Sequence, residues 1–289
     1  MEIRDKVAVV TGGASGIGRG IALALAERGA AGIVVADLEE ERAAAVTREV
    51  TEIGSAGLAV RCDVSDEASV EALAERAWDR FARVELLFNN AGVSGGGPLL
   101  DATAKDLRWI LSVNLFGVWY GCAVFGRRFR DQQTPAWIVN TGSEHSLGFP
   151  HPQAGFYTAS KHAVLGLTDV LRHELPPHVG VSILCPGVVR TELYGATRNR
   201  PRELGGPSEP DGLAQAVMER GMDPLDVGRL AVAGVEREEF YIVTHPHARR
   251  YVEERSREIL GAFDRQATAD SDADRYDVMR IVGEVLAQR

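Results

Sequence analysis

Short apolar runs alternate with longer stretches of helical period along this chain. Residues 6–12, KVAVVTG, form a continuous apolar run that ends in glycine. That is the pattern of a strand buried on both faces, as in a parallel sheet. Similar runs recur at 32–36, 58–62, 84–88, 137–141, 181–185 and 240–244. Between them, apolar residues return at helical spacing: RGIALALAERGA after the first run, LEEERAAAVTREV after the second, and 65–81 after the third, with Ser65 or Asp66 as cap. Residues 103–130 are a long, mostly apolar helical stretch, and 154–175 are a second, stopped by Pro176-Pro177. Residues 193–212 are rich in Gly, Pro and Arg and read as a mobile loop. Short helical patterns follow at about 211–220 and 224–236, and two more close the chain at about 247–263 and 271–288. Strands alternating with helices throughout predict an α/β fold, a doubly wound parallel sheet of about seven strands with helices on both faces. No internal repeat, low-complexity tract or domain boundary stands out, so 1–289 is expected to be a single domain.

Composition narrows the classes. The 289 residues are 45% hydrophobic and 25% charged, as in an ordinary soluble globular chain long enough to bury a substantial core. A net charge of −9 argues against a general nucleic-acid binder, which needs a basic surface. The three cysteines, Cys62, Cys122 and Cys185, are far apart and odd in number. Buried reduced thiols are expected, and there is no metal-ligand spacing. The N-terminus has no signal-peptide pattern, and no stretch approaches the ~18 apolar residues of a membrane span. A reducing cytoplasm fits these features.

The chemistry-bearing residues fall at or just beyond the ends of the predicted strands. After the first strand come Gly12-Gly13-Ala14-Ser15-Gly16-Ile17-Gly18 and then a helix. Strand, Gly-rich turn and helix in that order open a nucleotide-binding βαβ unit, because the glycines let backbone N–H groups approach a pyrophosphate. The spacing is G-x-x-x-G-x-G, not the commoner G-x-G-x-x-G. Asp37 ends the second strand and can accept hydrogen bonds from ribose hydroxyls, or cap the helix that follows. No Arg or Lys adjoins it, and its charge would repel a 2′-phosphate, which favours NAD over NADP. Asn114 inside the long apolar helix must find partners, either as a satisfied core amide or as a site residue. Tyr157 and Lys161 stand four apart, on one helix face. An ammonium beside a phenol favours the phenolate and gives a proton donor or acceptor usable near neutral pH; otherwise the pair is a solvated Tyr and Lys.

Together these motifs resemble the short-chain dehydrogenase/reductase superfamily in its ordinary ~250-residue branch. The match covers residues 5 to about 192 and the strand near 240–245. Thr11 to Gly18 matches the cofactor turn T-G-x-x-x-G-x-G, and Asp37 matches the NAD-selecting acid. Asp63-Val64 matches the pair that contacts adenine, and Asn89-Asn90-Ala91-Gly92 the N-N-A-G segment bordering the cofactor. Asn114, Ser143, Tyr157 and Lys161 match the catalytic tetrad, and Pro186-Gly187 with Val189 and Thr191 the segment at the nicotinamide end. The resemblance implies a Rossmann-like fold, with Gly12, Ser15, Gly16, Ile17 and Gly18 at the pyrophosphate and Asn90, Ala91 and Gly92 beside the cofactor. It implies that Tyr157 exchanges a proton with the substrate oxygen, that Ser143 hydrogen-bonds that oxygen, and that Lys161 binds the nicotinamide ribose and favours the Tyr157 phenolate. Asn114 would position a water linking Lys161 to solvent. A homotetramer or homodimer through the helices at about 103–130 and 154–175 is also implied.

The chain runs about 40 residues past the family's usual end. The resemblance makes about 193–222 a substrate loop and about 247–289 a C-terminal helical extension. The pattern from Glu239 to Pro246 looks like a bacterial subgroup that includes dehydrogenases of bulky aryl or alicyclic secondary alcohols. Leu147, Phe149, Phe156 and Tyr194 flank the expected site, as an apolar pocket or as plain core. Glu144 and His145 bind a polar substrate group or bond within their own loop. The expected activity is NAD-dependent interconversion of a hydrophobic, cyclic or aryl secondary alcohol and its ketone. The alternatives are an NADPH-dependent ketoreductase and a nucleotide-sensing binding protein without turnover. No nucleic-acid, membrane or metal partner is expected.

Overall fold

The computed structural model describes residues 1–95, 97–149, 151–266 and 273–287. Its strands are β1 (Val7–Thr11), β2 (Gly32–Asp37), β3 (Ala56–Arg61), β4 (Leu86–Asn89), β5 (Ala136–Thr141), β6 (Val179–Cys185) and β7 (Tyr241–Val243). All pair in parallel, in the order β3-β2-β1-β4-β5-β6-β7. The helices are α1 (Gly16–Glu27), α2 (Glu40–Ile53), α3 (Glu67–Phe81), α4 (Ala104–Leu111), α5 (Gly117–Gln132), α6 (Gly155–Glu174), α7 (Gly212–Met218), α8 (Pro224–Glu236), α9 (Arg249–Gln266) and α10 (Val278–Ala287). The predicted doubly wound parallel sheet is therefore the observed one.

Side-chain alternation explains the two helical layers. Along β1, Ala8 and Val10 join the core packed by α1, α2 and α8, while Val7 and Val9 join the core packed by α3, α5 and α6. All four are at most 2% exposed, so the strand needs apolar residues on both faces. The strand order reverses between β1 and β4, and the carboxyl ends beside that switch point frame a cleft.

Several boundaries differ from the sequence pattern. β3 begins at Ala56, two residues before the predicted start, and β4 begins at Leu86, just after Glu85, whose carboxylate accepts from the Val7 N–H at 2.9 Å. The long helix at 103–130 is not continuous: a π turn at Ser112–Phe116 separates α4 from α5 and carries the fully buried Asn114. By length and composition alone, Ala104–Gln132 is apolar enough to cross a membrane, although no uninterrupted apolar run within it reaches that length. Yet 56% of its most apolar window is buried inside the fold, as in a core helix. Residues 193–212 are not structureless, since 3₁₀ turns occupy Glu192–Asn199 and Arg202–Leu204. Cys62, Cys122 and Cys185 are buried free thiols.

The chain divides into two compact units, Met1–Ala248 and Arg249–Arg289. The first holds the whole sheet. The second holds α9, a 3₁₀ turn at Ala273–Tyr276, and α10. Part of the predicted helix at 271–288 lies outside the described residues.

Candidate active site

At one end of the cleft the chain turns sharply from β1 into α1. Gly12 and Gly16 hold left-handed backbone (φ +61° and +50°), where a side chain is strained. A Cβ on Gly18 would lie 2.1 Å from the Gly12 carbonyl oxygen. The turn thus presents backbone N–H groups and a helix N-terminus to the cleft, the arrangement that suits a pyrophosphate. Gly12, Ser15, Gly16 and Ile17 line the cleft, whereas Gly18 is buried beneath them in α1.

Asp37 lines the cleft at the end of β2. Its Oδ2 accepts from Ala14 N at 3.0 Å and its Oδ1 from Glu39 N at 3.1 Å. The N-cap of α2 is Glu39, so Asp37 does not cap that helix. Burial holds the Asp37 carboxyl above the usual carboxylate range, partly offset by those two N–H donors. The fold also brings up two guanidinium groups that are not adjacent in sequence. Arg42 bonds Glu39 at 3.2 Å and Glu192 at 2.9 Å, and Arg198 bonds Glu39 at 3.0 Å. Asn199 adds a bond to Glu39 at 3.0 Å. Two carboxylates, Glu39 and Glu192, therefore pair with two guanidinium groups, and this network ties the 192–199 turn to the loop after β2.

The next strand ends close the floor. Asp63 Oδ1 accepts from the Ser65 N–H and hydroxyl at 2.9 and 2.7 Å, and Asp63 and Val64 line the cleft. Asn90 ties β4 to the glycine turn, donating from Nδ2 to the carbonyls of Thr11 (3.1 Å) and Gly12 (3.3 Å). Ala91 and Gly92 follow along the wall.

The far end of the cleft holds Tyr157 and Lys161, one turn apart on α6. Lys161 Nζ donates to the Thr141 carbonyl at 2.8 Å and lies 5.6 Å from the centre of the Tyr157 ring. Burial lowers Lys161 to about 8. Tyr157, partly open to the cleft, is nonetheless pushed up to about 12 by burial; a hydrogen bond with Ser143 pulls it back and the Glu144 carboxylate adds to the rise. Desolvation of the phenolate thus governs the protein by itself, opposite in direction to the lowering expected from the Tyr–Lys spacing.

Two expected residues lie off the cleft wall. Ser143 is 5% exposed, in reach of the Tyr157 hydroxyl; its Oγ accepts from His145 N at 3.3 Å and lies 3.5 Å from the Pro186 carbonyl. Asn114 is a satisfied core amide. Its Oδ1 accepts from Val93 N at 2.8 Å, and its Nδ2 donates to Val93 O at 2.9 Å and to Ser160 Oγ at 3.1 Å. It clips the loop after β4 to the helix that carries Tyr157. Pro186, Gly187, Val189 and Thr191 line the same end.

Thr141 closes a strand two residues before Ser143, and no sequence motif marks it as a site residue. Thr141 lines the cleft, and its buried Oγ1 finds no partner among the described residues. Trp109, Leu193, Ala196, Leu204 and Met218 form an apolar wall nearby. Arg200 stacks over Trp109 at 5.1 Å and pairs with Asp106 at 2.7 Å, both partners nearly buried, and so fixes the 192–204 turns onto α4. Phe156 packs into the small core behind this wall, and Leu147 into the larger one. Tyr194 faces a separate shallow groove. His145 bonds within its neighbourhood, Nδ1 to Thr158 Oγ1 at 2.8 Å, with its ring edge-on to Phe149 and Tyr157. Burial lowers it to about 4.

The family described as short chain dehydrogenase matches residues 6–202. The chain belongs to that family. This short-chain dehydrogenase is 30% identical over 273 residues to a CLA biosynthesis dehydrogenase/reductase of Lactiplantibacillus plantarum, covering 90% of this chain and 94% of that one. It is similar to the crystal structure of a short chain dehydrogenase/reductase from Burkholderia phymatum in complex with NAD, with TM-score 0.86, 38% identity, and 91% and 96% of the two chains covered. A Sphingobium yanoikuyae short-chain dehydrogenase in complex with NADPH is also similar, with TM-score 0.71, 27% identity, and 92% and 99% covered. The dehydrogenase is accordingly an oxidoreductase with a nucleotide-binding fold.

Proposed function

We propose that this dehydrogenase interconverts a hydrophobic secondary alcohol and its ketone with NAD, with Tyr157 as the acid/base. The supporting observation is one cleft lined by the glycine turn and Asp37 at one end and by Tyr157 and Lys161 at the other, with buried Ser143 just behind the wall and hydrogen-bonded to Tyr157. The residues fit a dinucleotide: Gly12, Ser15, Gly16 and Ile17 for the pyrophosphate, Asp37 for the adenosine ribose, Asp63 and Val64 for adenine. Asn90, Ala91, Gly92, Pro186, Gly187, Val189 and Thr191 border its remainder. Bound NAD supplies the hydride acceptor.

The chain's own groups handle the proton. Tyr157 Oη takes it from an alcohol and returns it to a ketone, and Ser143 Oγ, within reach of that hydroxyl, orients the substrate oxygen. Lys161, with a pKa of about 8, is mostly charged at neutral pH and supplies positive charge beside the phenol. The Thr141 carbonyl aims that ammonium. Asn114 acts by holding Val93 and Ser160 in place. The wall of Trp109, Leu193, Ala196 and Leu204 favours an apolar, ring-containing substrate.

The test is a panel of cyclic, aryl and steroid-like secondary alcohols with NAD⁺, followed at the NADH absorbance. Turnover of ring alcohols supports the reading, and no turnover across the panel counts against it. The second reading, an NADPH-dependent ketoreductase, draws on Arg42 and Arg198, which bond Glu39 two residues after Asp37, and on the NADPH-bound relative. Ketone reduction faster with NADPH than with NADH would favour it. Association of copies through the helical stretches at about 103–130 and 154–175 fits exposed Phe116, Trp119 and Val170; a monomer in light scattering would oppose it.

A further inference from the structure

Next to the catalytic end of the cleft, one histidine holds two successive backbone groups of Pro186-Gly187-Val188. His245 follows β7. Gly187 N donates to His245 Nδ1 at 3.0 Å, and His245 Nε2 lies 3.0 Å from the Val188 carbonyl oxygen. The Thr244 hydroxyl lies 2.7 Å from the same Nδ1. A backbone donor and a hydroxyl converge on Nδ1 while a carbonyl faces Nε2. The Gly187 N–H needs Nδ1 as an acceptor and the Val188 carbonyl needs Nε2 as a donor, which fixes the tautomer with its proton on Nε2.

The same segment meets Glu144. Glu144 N donates to the Pro186 carbonyl at 2.9 Å. A Cβ on Gly187 would lie 2.8 Å from His245 Cγ and 3.0 Å from Glu144 Oε2, so the segment packs against both with no room for a side chain. Glu144 Oε2 is in turn 2.9 Å from His247 Nε2, off the line of a well-aimed hydrogen bond. Pro186 and Gly187 line the cleft and His245 does not. His245 therefore reaches a bound molecule only through the backbone it holds.

We infer that His245 is a positioning residue that sets the Pro186-Gly187-Val188 backbone for the nicotinamide end of the cofactor. The inference rests on reading the cleft as a dinucleotide site. Losing the two ring nitrogens leaves the Gly187 N–H and Val188 carbonyl to find other partners, and the segment loses its register.

The experiment is calorimetric titration of the full-length protein with NADH and with ADP-ribose, which shares the adenosine end but lacks nicotinamide. His245→Phe keeps a ring and removes both nitrogens, and His245→Asn keeps an acceptor. The expected result is NADH affinity about tenfold weaker in the Phe variant, with ADP-ribose affinity within about twofold of wild type and partial recovery in the Asn variant. Unchanged NADH affinity, or equal losses for both ligands in a variant that melts like wild type, overturns the inference. Should the Phe variant melt well below wild type, the Asn variant decides by the same two titrations. If wild type binds neither ligand, the dinucleotide reading fails and this inference with it; if wild type binds both and the Phe variant is unaffected, only this inference fails.

Discussion

Lys161 Nζ stands 5.6 Å from the centre of the Tyr157 ring and is held there by the Thr141 carbonyl. Burial opposes both charges, lowering Lys161 to about 8 and raising Tyr157 to about 12. If the Tyr157 hydroxyl is the proton carrier, Tyr157→Phe should reduce kcat about 10²–10⁴-fold, the usual share of general acid–base catalysis. NADH binding should stay near wild type. Steady-state rates with a parallel NADH titration check both, and retained kcat removes Tyr157 from the mechanism.

Asp37 separates the two cofactor readings. Its carboxylate lies near Glu39, which engages Arg42 and Arg198. Asp37→Ser should strengthen NADPH binding by about tenfold or more, about 1.4 kcal/mol, by removing a like charge from the site of a 2′-phosphate. Adding Glu39→Gln should strengthen it further by releasing Arg198 and Arg42. Unchanged NADPH affinity in a titration of both variants would dismiss Asp37 as the selector.

His145 makes stability pH-dependent on the acid side. Its folded value of about 4 lies below the ordinary 6.5. Between those values the unfolded chain binds the proton and the folded one does not, so stability is full above 6.5 and is lost as pH falls through about 4. The loss amounts to at most about 3 kcal/mol. Thermal melts from pH 7 to pH 4 should show a decline that flattens in His145→Phe. An equally steep decline in that variant would assign it to other groups.

Arg200 pins the 192–204 turns to α4 through Asp106 and Trp109. Arg200→Met should strand the Asp106 carboxylate, although the Thr103 N–H and hydroxyl still bond it at 2.7 and 2.6 Å. Hydrogen exchange in 192–204 should speed up while the sheet stays protected. Substrate KM should rise more than kcat falls. Unaltered exchange in that segment would mean its order comes from apolar packing.

Much of the fold is legible in the sequence because it is a matter of period. Apolar residues on both faces of β1 require two covering layers, and the helical repeats between strands supply them. The π turn at 112–116 is not legible in the sequence because it barely disturbs the helical period, yet it carries the buried Asn114. The 3₁₀ turns at 192–204 escaped because their order comes from Arg198 reaching Glu39 and Arg200 reaching Asp106, partners far away in the chain.

The sequence by itself determined the family, the parallel sheet, the glycine turn and the spacing of Tyr157 and Lys161, since each is a local pattern of side-chain size, polarity and order. The tertiary structure alone decided that burial sets the direction of the Tyr157 and Lys161 shifts, and that Arg198 reaches Glu39 beside the Asp37 loop. It alone placed His245 against Gly187. Desolvation and long-range contact depend on what the rest of the chain packs around a group, and no local pattern carries that information.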